Sequence, residues 1–179
     1  MRDGTYEAAE SRLAWLERAL AEHEAPLLRY AASLTGDADR ARDAVQDTFL
    51  RLCREEPAAL NGRLAPWLFT VCRRRIIDRQ RKESPMQPLA DTFEDEAAAT
   101  PDPATAAADH DTGDAVLGLL ARLPGRQREV VRLRFQEQLS YAEIAAVTGL
   151  TVTNVGFLLH TALRALRRQL AELESPARG

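Results

Sequence analysis

LSYAEIAAVTGLTVTNVGFLLHTALRALRR, residues 139–168, carries two helical patterns separated by a turn. Ser140 and Glu143 stand three apart ahead of an apolar run, the spacing at which a serine hydroxyl and a glutamate carboxylate satisfy each other's orphan backbone N–H groups at a helix start. Gly149 follows about two turns later, where a residue tolerating positive φ ends one helix and redirects the chain. Thr151 or Thr153 then caps a second helix. Along it Val155, Leu159, Ala162 and Leu166 recur at helical spacing, an apolar stripe facing Ile144, Ala145 and Leu150. The opposite face presents Thr153, Asn154, Phe157, His160, Thr161 and Arg164 to whatever lies outside. The major groove of duplex DNA admits one helix of this width. Cap, turn and stripe together predict a helix-turn-helix rather than an ordinary helix pair of a bundle.

Working outward, Val130, Val131, Leu133 and Phe135 precede this motif. Before them stand Val116, Leu119, Leu120 and Leu123, broken at Pro124-Gly125. The C-terminal domain, 115–179, is therefore expected to be a bundle of about four helices. Residues 85–114 read as a flexible linker, with Pro85, Pro88, Pro101 and Pro103, many alanines and eight acids. Charge divides along the same lines. Residues 1–84 hold 15 basic and 14 acidic groups, 85–114 hold no basic group, and 115–179 hold 9 basic and 5 acidic. The net charge of −3 thus conceals two mildly basic ends around an acidic connector and does not exclude a nucleic-acid partner.

In the N-terminal domain, 1–84, Leu13, Leu16 and Leu20 predict one helix within residues 1–22. Leu27, Leu28, Ala31 and Leu34 predict another from Pro26, stopped at Thr35-Gly36. Asp37 or Asp39 caps the next, whose buried face is Ala41, Val45, Thr48, Phe49 and Leu52. Its other faces carry Asp43, Gln46, Asp47, Leu50, Arg51 and Arg54. An apolar Leu50 amid charge reads as a protein contact or, more commonly, as a single exposed leucine. Pro57, Asn61 and Gly62 make Glu55–Leu64 a loop. Pro66 then suits the first turn of a helix with Trp67, Leu68, Val71, Cys72 and Ile76 inside. That helix ends in Arg73, Arg74, Arg75, Arg79, Arg81 and Lys82 against a lone Asp78. Such cations repel one another unless a polyanion is near, and phosphate is the usual one.

No catalytic constellation appears: His23, His110 and His160 are scattered and no glycine-rich phosphate loop occurs, so a non-enzyme without cofactor is expected. Cys53 and Cys72 lack metal-ligand or disulfide spacing and read as buried thiols of a reducing cytoplasm. No signal-like or membrane-spanning run is present, so a soluble cytoplasmic protein without membrane insertion is expected. The fold class is all-α, two small helical domains joined by the linker.

Four stretches in order resemble the bacterial extracytoplasmic-function sigma factors, the short RNA polymerase specificity subunits that keep only sigma regions 2 and 4. DADRARDAVQDTFLRLCR (37–54) is similar to the family's polymerase-binding helix and PWLFTVCRRRIIDRQRK (66–82) to its promoter-melting helix. LPGRQREVVRLRF (123–135) and SYAEIAAVTGL (140–150) are similar to its C-terminal domain. The resemblance implies that Asp43, Gln46, Asp47 and Leu50, with Arg51 and Arg54 beside them, dock on the clamp helices of the largest subunit of core RNA polymerase. It implies that Asn61, Arg63, Arg73, Arg74, Arg75 and Arg79 hold the melted minus-10 promoter DNA. Thr153, Asn154, Gly156, Phe157, His160 and Thr161 then fall where the family reads the minus-35 duplex. Arg126, Arg128 and Arg164, with Arg167 and Arg168, are candidate backbone clamps, while Asn154, Phe157 and His160 suit base edges and thymine methyls. The polymerase flap and an anti-sigma factor are further implied partners. The chain departs from the family pattern at Arg74, where asparagine is frequent, and at Gly156, Leu158, Thr161 and Leu163, where basic residues are usual. Two rivals stand beside this reading: a helix-turn-helix regulator acting without polymerase, and an adaptor whose helix pair binds only protein.

Overall fold

The structure, a computed structural model, describes residues 3–83 and 118–174, with side chains over 11–83 and 118–171. The described residues form helices and turns with no strand among them, as the all-α reading expects. The predicted linker, 85–114, lies outside them. The contacts divide the chain into two compact units, one centred on the helices before Pro85 and one on those after it.

The first unit packs α1 (Asp3–Thr35), α2 (Ala38–Leu52) and α3 (Leu64–Glu83) around one core, with a 3-10 turn, Pro57–Leu60, between the last two. The two N-terminal helices expected from sequence are one, running through Pro26. Proline lacks the N–H and crowds the carbonyl four residues back, a penalty of about 3 kcal/mol in an isolated helix. Here Ala19 is buried before the proline and Leu27, Tyr30 and Ala31 after it, so packing on both sides holds the helix continuous. The predicted leucine stripe is corrected too, since Leu13 and Leu20 are exposed. What fastens this end of α1 is polar. Arg12 donates to the carbonyl oxygens of Cys53 (2.7 Å) and Glu55 (3.0 Å) and pairs with Glu56 (2.8 Å) just past the end of α2.

Between α1 and α2 the chain turns at Gly36, φ +65°, and the Asp37 carboxylate accepts from the N–H groups of Asp39 (2.8 Å) and Arg40 (3.0 Å). These backbone bonds, together with Arg40, hold its carboxyl below the usual aspartate range. From α2 the core receives Ala41, Ala44, Val45, Thr48 and Leu52, and from α3 Leu68, Phe69, Cys72 and Ile76. Phe69, absent from the predicted stripe, meets Tyr30 edge-on at 5.1 Å, whereas Trp67 and Val71 are only half-buried.

In the second unit residues 118–121 are helical, followed by α4 (Gly125–Phe135), α5 (Tyr141–Thr148) and α6 (Val152–Glu174). The capping box forms as read: Ser140 N–H donates to Glu143 Oε2 at 2.7 Å and Glu143 N–H to Ser140 Oγ at 3.3 Å. The hydroxyl and the Ser140 backbone together hold the Glu143 carboxyl below its ordinary value. Gly149 makes the turn at φ +76°, and Thr151 Oγ1 accepts from Asn154 N–H at 3.1 Å, so Thr151 is the cap. The chain bends by 102° between α5 and α6, within the range of a helix-turn-helix. Val130 and Leu133 on α4, and Val155, Leu159 and Ala162 on α6, are buried, and these two helices pack together. No single described helix is long and apolar enough to cross a membrane.

Candidate protein and nucleic-acid interfaces

The stripe that buries α2 leaves its opposite face outward. Asp43, Gln46, Leu50, Arg51 and Arg54 are exposed, Leu50 to 55%, and Asp47 is half-buried. Leu50 is not isolated: with Leu20, Leu28, Val45 and Phe49 it lines an open groove of about 460 Å³, with Arg42 and Glu24 among its polar walls. Sequence reasoning missed the α1 half of this groove because it assigned Leu20 to a buried stripe. The signal was present in α2 itself, where Phe49 stands at the edge of the buried face.

The basic helix resolves into two sets. Arg75 Nε donates to Asp47 Oδ2 at 2.6 Å, and Arg79 reaches Asp43 Oδ2 at 2.8 Å and Glu83 Oε1 at 3.1 Å. Arg40 closes the network on Glu83 at 2.8 Å. Hydrogen bonds donated to Asp43 and Glu83 hold the Arg79 guanidinium's proton more tightly than usual. The expectation that this run needs an outside polyanion is narrowed for two of its six cations, because α2 and the end of α3 already neutralise Arg75 and Arg79. Residues assigned to two different partners from sequence are thus partners of each other. Arg74 is exposed and makes no ion pair among the described residues, and Arg73 is half-buried. At about 100° per residue, Arg74 lies opposite the Leu68–Cys72–Ile76 face, together with Arg81. At the N-terminal end of α3, Asn61, Gly62 (φ +71°) and Arg63 are all exposed, with Arg63 donating to Ala59 O at 3.3 Å.

The cysteines also divide. Cys53 follows the last turn of α2 and is exposed, against expectation, while Cys72 is buried, and burial pushes its thiol up to about 11. No group of three or more His, Cys, Asp or Glu among the described residues could hold a metal ion.

On α6 the outward face is as predicted. Thr153, Asn154, Phe157, His160 and Arg164 are exposed, while Thr161 is half-buried and its hydroxyl donates to Phe157 O at 2.9 Å. The Tyr141 ring lies beside Gly156, where an added Cβ would stand 3.7 Å from it, and Arg134 covers that ring at 5.6 Å. Arg126 and Arg128 are half-buried, so they are less open clamps than the sequence suggested. Burial and the nearby charge of Arg128 weaken the proton affinity of Arg132. Arg122, which the sequence reading passed over, joins Arg164 and Arg168 on an open groove of about 480 Å³ between residues 122–127 and α6.

Both units match known families. Residues 20–85 match the family model of sigma-70 region 2, and 113–166 that of sigma-70 region 4. The ECF RNA polymerase sigma factor SigL of Mycobacterium tuberculosis is 36% identical over 93% of this chain and 94% of its own length. This chain belongs to the ECF RNA polymerase sigma factors. SigM of Bacillus subtilis is a more distant relative of this sigma factor, 26% identical over 78% of the chain and 85% of that protein. A solved Bartonella quintana sigma factor, RpoE, in complex with the anti-sigma factor NepR, superposes with a TM-score of 0.57 at 25% identity, covering 87% of this chain and 96% of that one. Membership places the sigma factor apart from polymerase-independent regulators and protein-only adaptors, and sigma factors are not enzymes.

Proposed function

We propose that this sigma factor divides promoter use among three surfaces. The α2 face with Asp43, Gln46, Asp47 and Leu50 docks on the clamp helices of core polymerase, with Arg51 and Arg54 at its margin. The loop at Asn61 and Arg63, with Arg73 and Arg74 on α3, holds the separated minus-10 strand. Arg75 and Arg79, paired with Asp47 and Asp43, anchor α3 to α2 and so position the helix that presents Arg73 and Arg74 to that strand. The outward face of α6, with Arg126, Arg128 and Arg164 toward the backbone, reads the minus-35 duplex. The acidic stretch 85–114 connects the two DNA-binding units, and the protein works in the cytoplasm, where polymerase and promoter are. The Bartonella relative is held by an anti-sigma factor, and a partner of that kind belongs to this reading as well.

The observation that carries the proposal is the separation of roles on α2 and α3. An apolar groove around Leu50 lies on one side, and exposed Arg74, without an ion pair among the described residues, lies with an exposed positive-φ loop on another. Unpaired bases must be stabilised by pocket contacts and phosphate neutralisation for a strand to stay open. The test is permanganate footprinting of melted thymines with Asn61→Ala and Arg74→Glu combined. Melting is expected to disappear while binding to core is retained; footprints like those of wild type would refute the assignment.

A further inference from the structure

We propose that Phe157 is a specificity-determining residue that reads a thymine through its C5-methyl group in the upstream promoter element. This rests on the reading that α6 enters the major groove there. At about 100° per residue, Phe157 lies roughly opposite the stripe of Val155, Leu159 and Ala162, which are 0–2% exposed. It therefore occupies the centre of the outward face. At 65% it is the most exposed large hydrophobic side chain among the described residues. Its neighbours on that face, Thr153, Asn154, His160 and Thr161, are polar, so the ring is not part of an apolar patch continuing along the helix. The preceding residue is Gly156, and Arg164 is the first cation reached along α6.

The chemistry then selects the ligand. A phenyl ring neither donates nor accepts a conventional hydrogen bond, so pressing it against N7, O6, N6, O4 or N4 strips water from a polar group without replacement. The thymine methyl is the single apolar group that an unmodified base presents in the major groove. With arginine and lysine absent from Val152 to Leu163, the bidentate guanine contact has no donor on this part of the helix. Asn154, exposed beside Phe157, supplies the amide that pairs with adenine. The centre of the element read by α6 is accordingly a thymine.

The test uses core polymerase with the full chain. Promoters are selected from a library randomised upstream, and each upstream thymine of a selected template is replaced in turn by deoxyuridine, which lacks only the methyl. Burying one methyl-sized group is worth about a fourfold change in binding. Initiation by wild type is expected to fall about fourfold at one thymine. Phe157→Ala, an exposed-site change that leaves the core intact, is expected to initiate less on the thymine template and to treat both templates alike. Upstream protection in footprints together with indifference to every deoxyuridine overturns the inference and leaves α6 docking in place. Phe157→Ala initiating like wild type on all templates also overturns it. Loss of upstream protection in wild type itself refutes the docking on which the inference rests.

Discussion

Leu50 and Leu52 stand two residues apart on α2 and are predicted to fail in opposite ways when truncated. Leu52 is 0% exposed, and removing three carbons from a packed site costs about 2–5 kcal/mol. In a unit of this size each kcal/mol lowers the melting temperature by roughly 4–8 °C, so Leu52→Ala is expected to melt about 10 °C or more below wild type. Leu50 is 55% exposed, and its removal leaves no cavity in the core, so Leu50→Ala should change stability by no more than about 0.5 kcal/mol. If the groove it lines receives core polymerase, the same change strips an interface anchor worth about 1 kcal/mol or more, a fivefold or larger loss of affinity. The assay pairs thermal melts by circular dichroism with fluorescence-anisotropy titration of labelled protein by core. Two results would refute the reasoning: Leu50→Ala melting as low as Leu52→Ala, or Leu50→Ala binding core with wild-type affinity.

Arg12→Ala should cost about 1 kcal/mol or more, read by urea denaturation, because it unpairs the carbonyls of Cys53 and Glu55 just past the end of α2. A double-mutant cycle on Asp47 and Arg75 should give a coupling of no more than about 1 kcal/mol that shrinks with added salt, since both side chains are substantially exposed; such a pair is weak enough for a docking partner to displace. A thiol reagent should label Cys53 at once in the native protein and Cys72 only on unfolding. The raised Cys72 pKa has a definite sign: the unfolded thiol ionises near 9.0 while the folded one stays protonated to about 11, so its contribution to stability is full below pH 9 and is lost as pH rises between those values.

Legibility from sequence followed the range of the forces involved. The capping box, Gly149 and the α6 stripe are local devices, set by residues three to four apart, and each appears where the residues place it, save that Leu166 at the end of the stripe is half-buried. Leu50 was visible as an exception because one helix's periodicity defines both its inside and its outside. The contacts that escaped are those between elements distant in sequence. Pro26 carries a local breaking signal, and only the packing of Leu27, Tyr30 and Ala31 overrides it. Arg12 meets its carbonyls more than forty residues away, and Arg75 meets Asp47 across 28. The basic run on α3 therefore looked like a single phosphate-binding surface, since nothing within α3 announces that α2 supplies carboxylates to two of its six cations. Phe69 was missed for the same reason, its place in the core being decided by Tyr30 on α1.

Transcription by purified core RNA polymerase, with and without the full chain, on a library of promoter fragments tests the central claim most directly. With the chain, discrete start sites should appear that core alone does not use, sharing one upstream and one downstream motif, and Leu50→Ala should reduce them at limiting protein. Start sites unchanged by the chain, under conditions where it binds the same DNA without polymerase, would contradict the account.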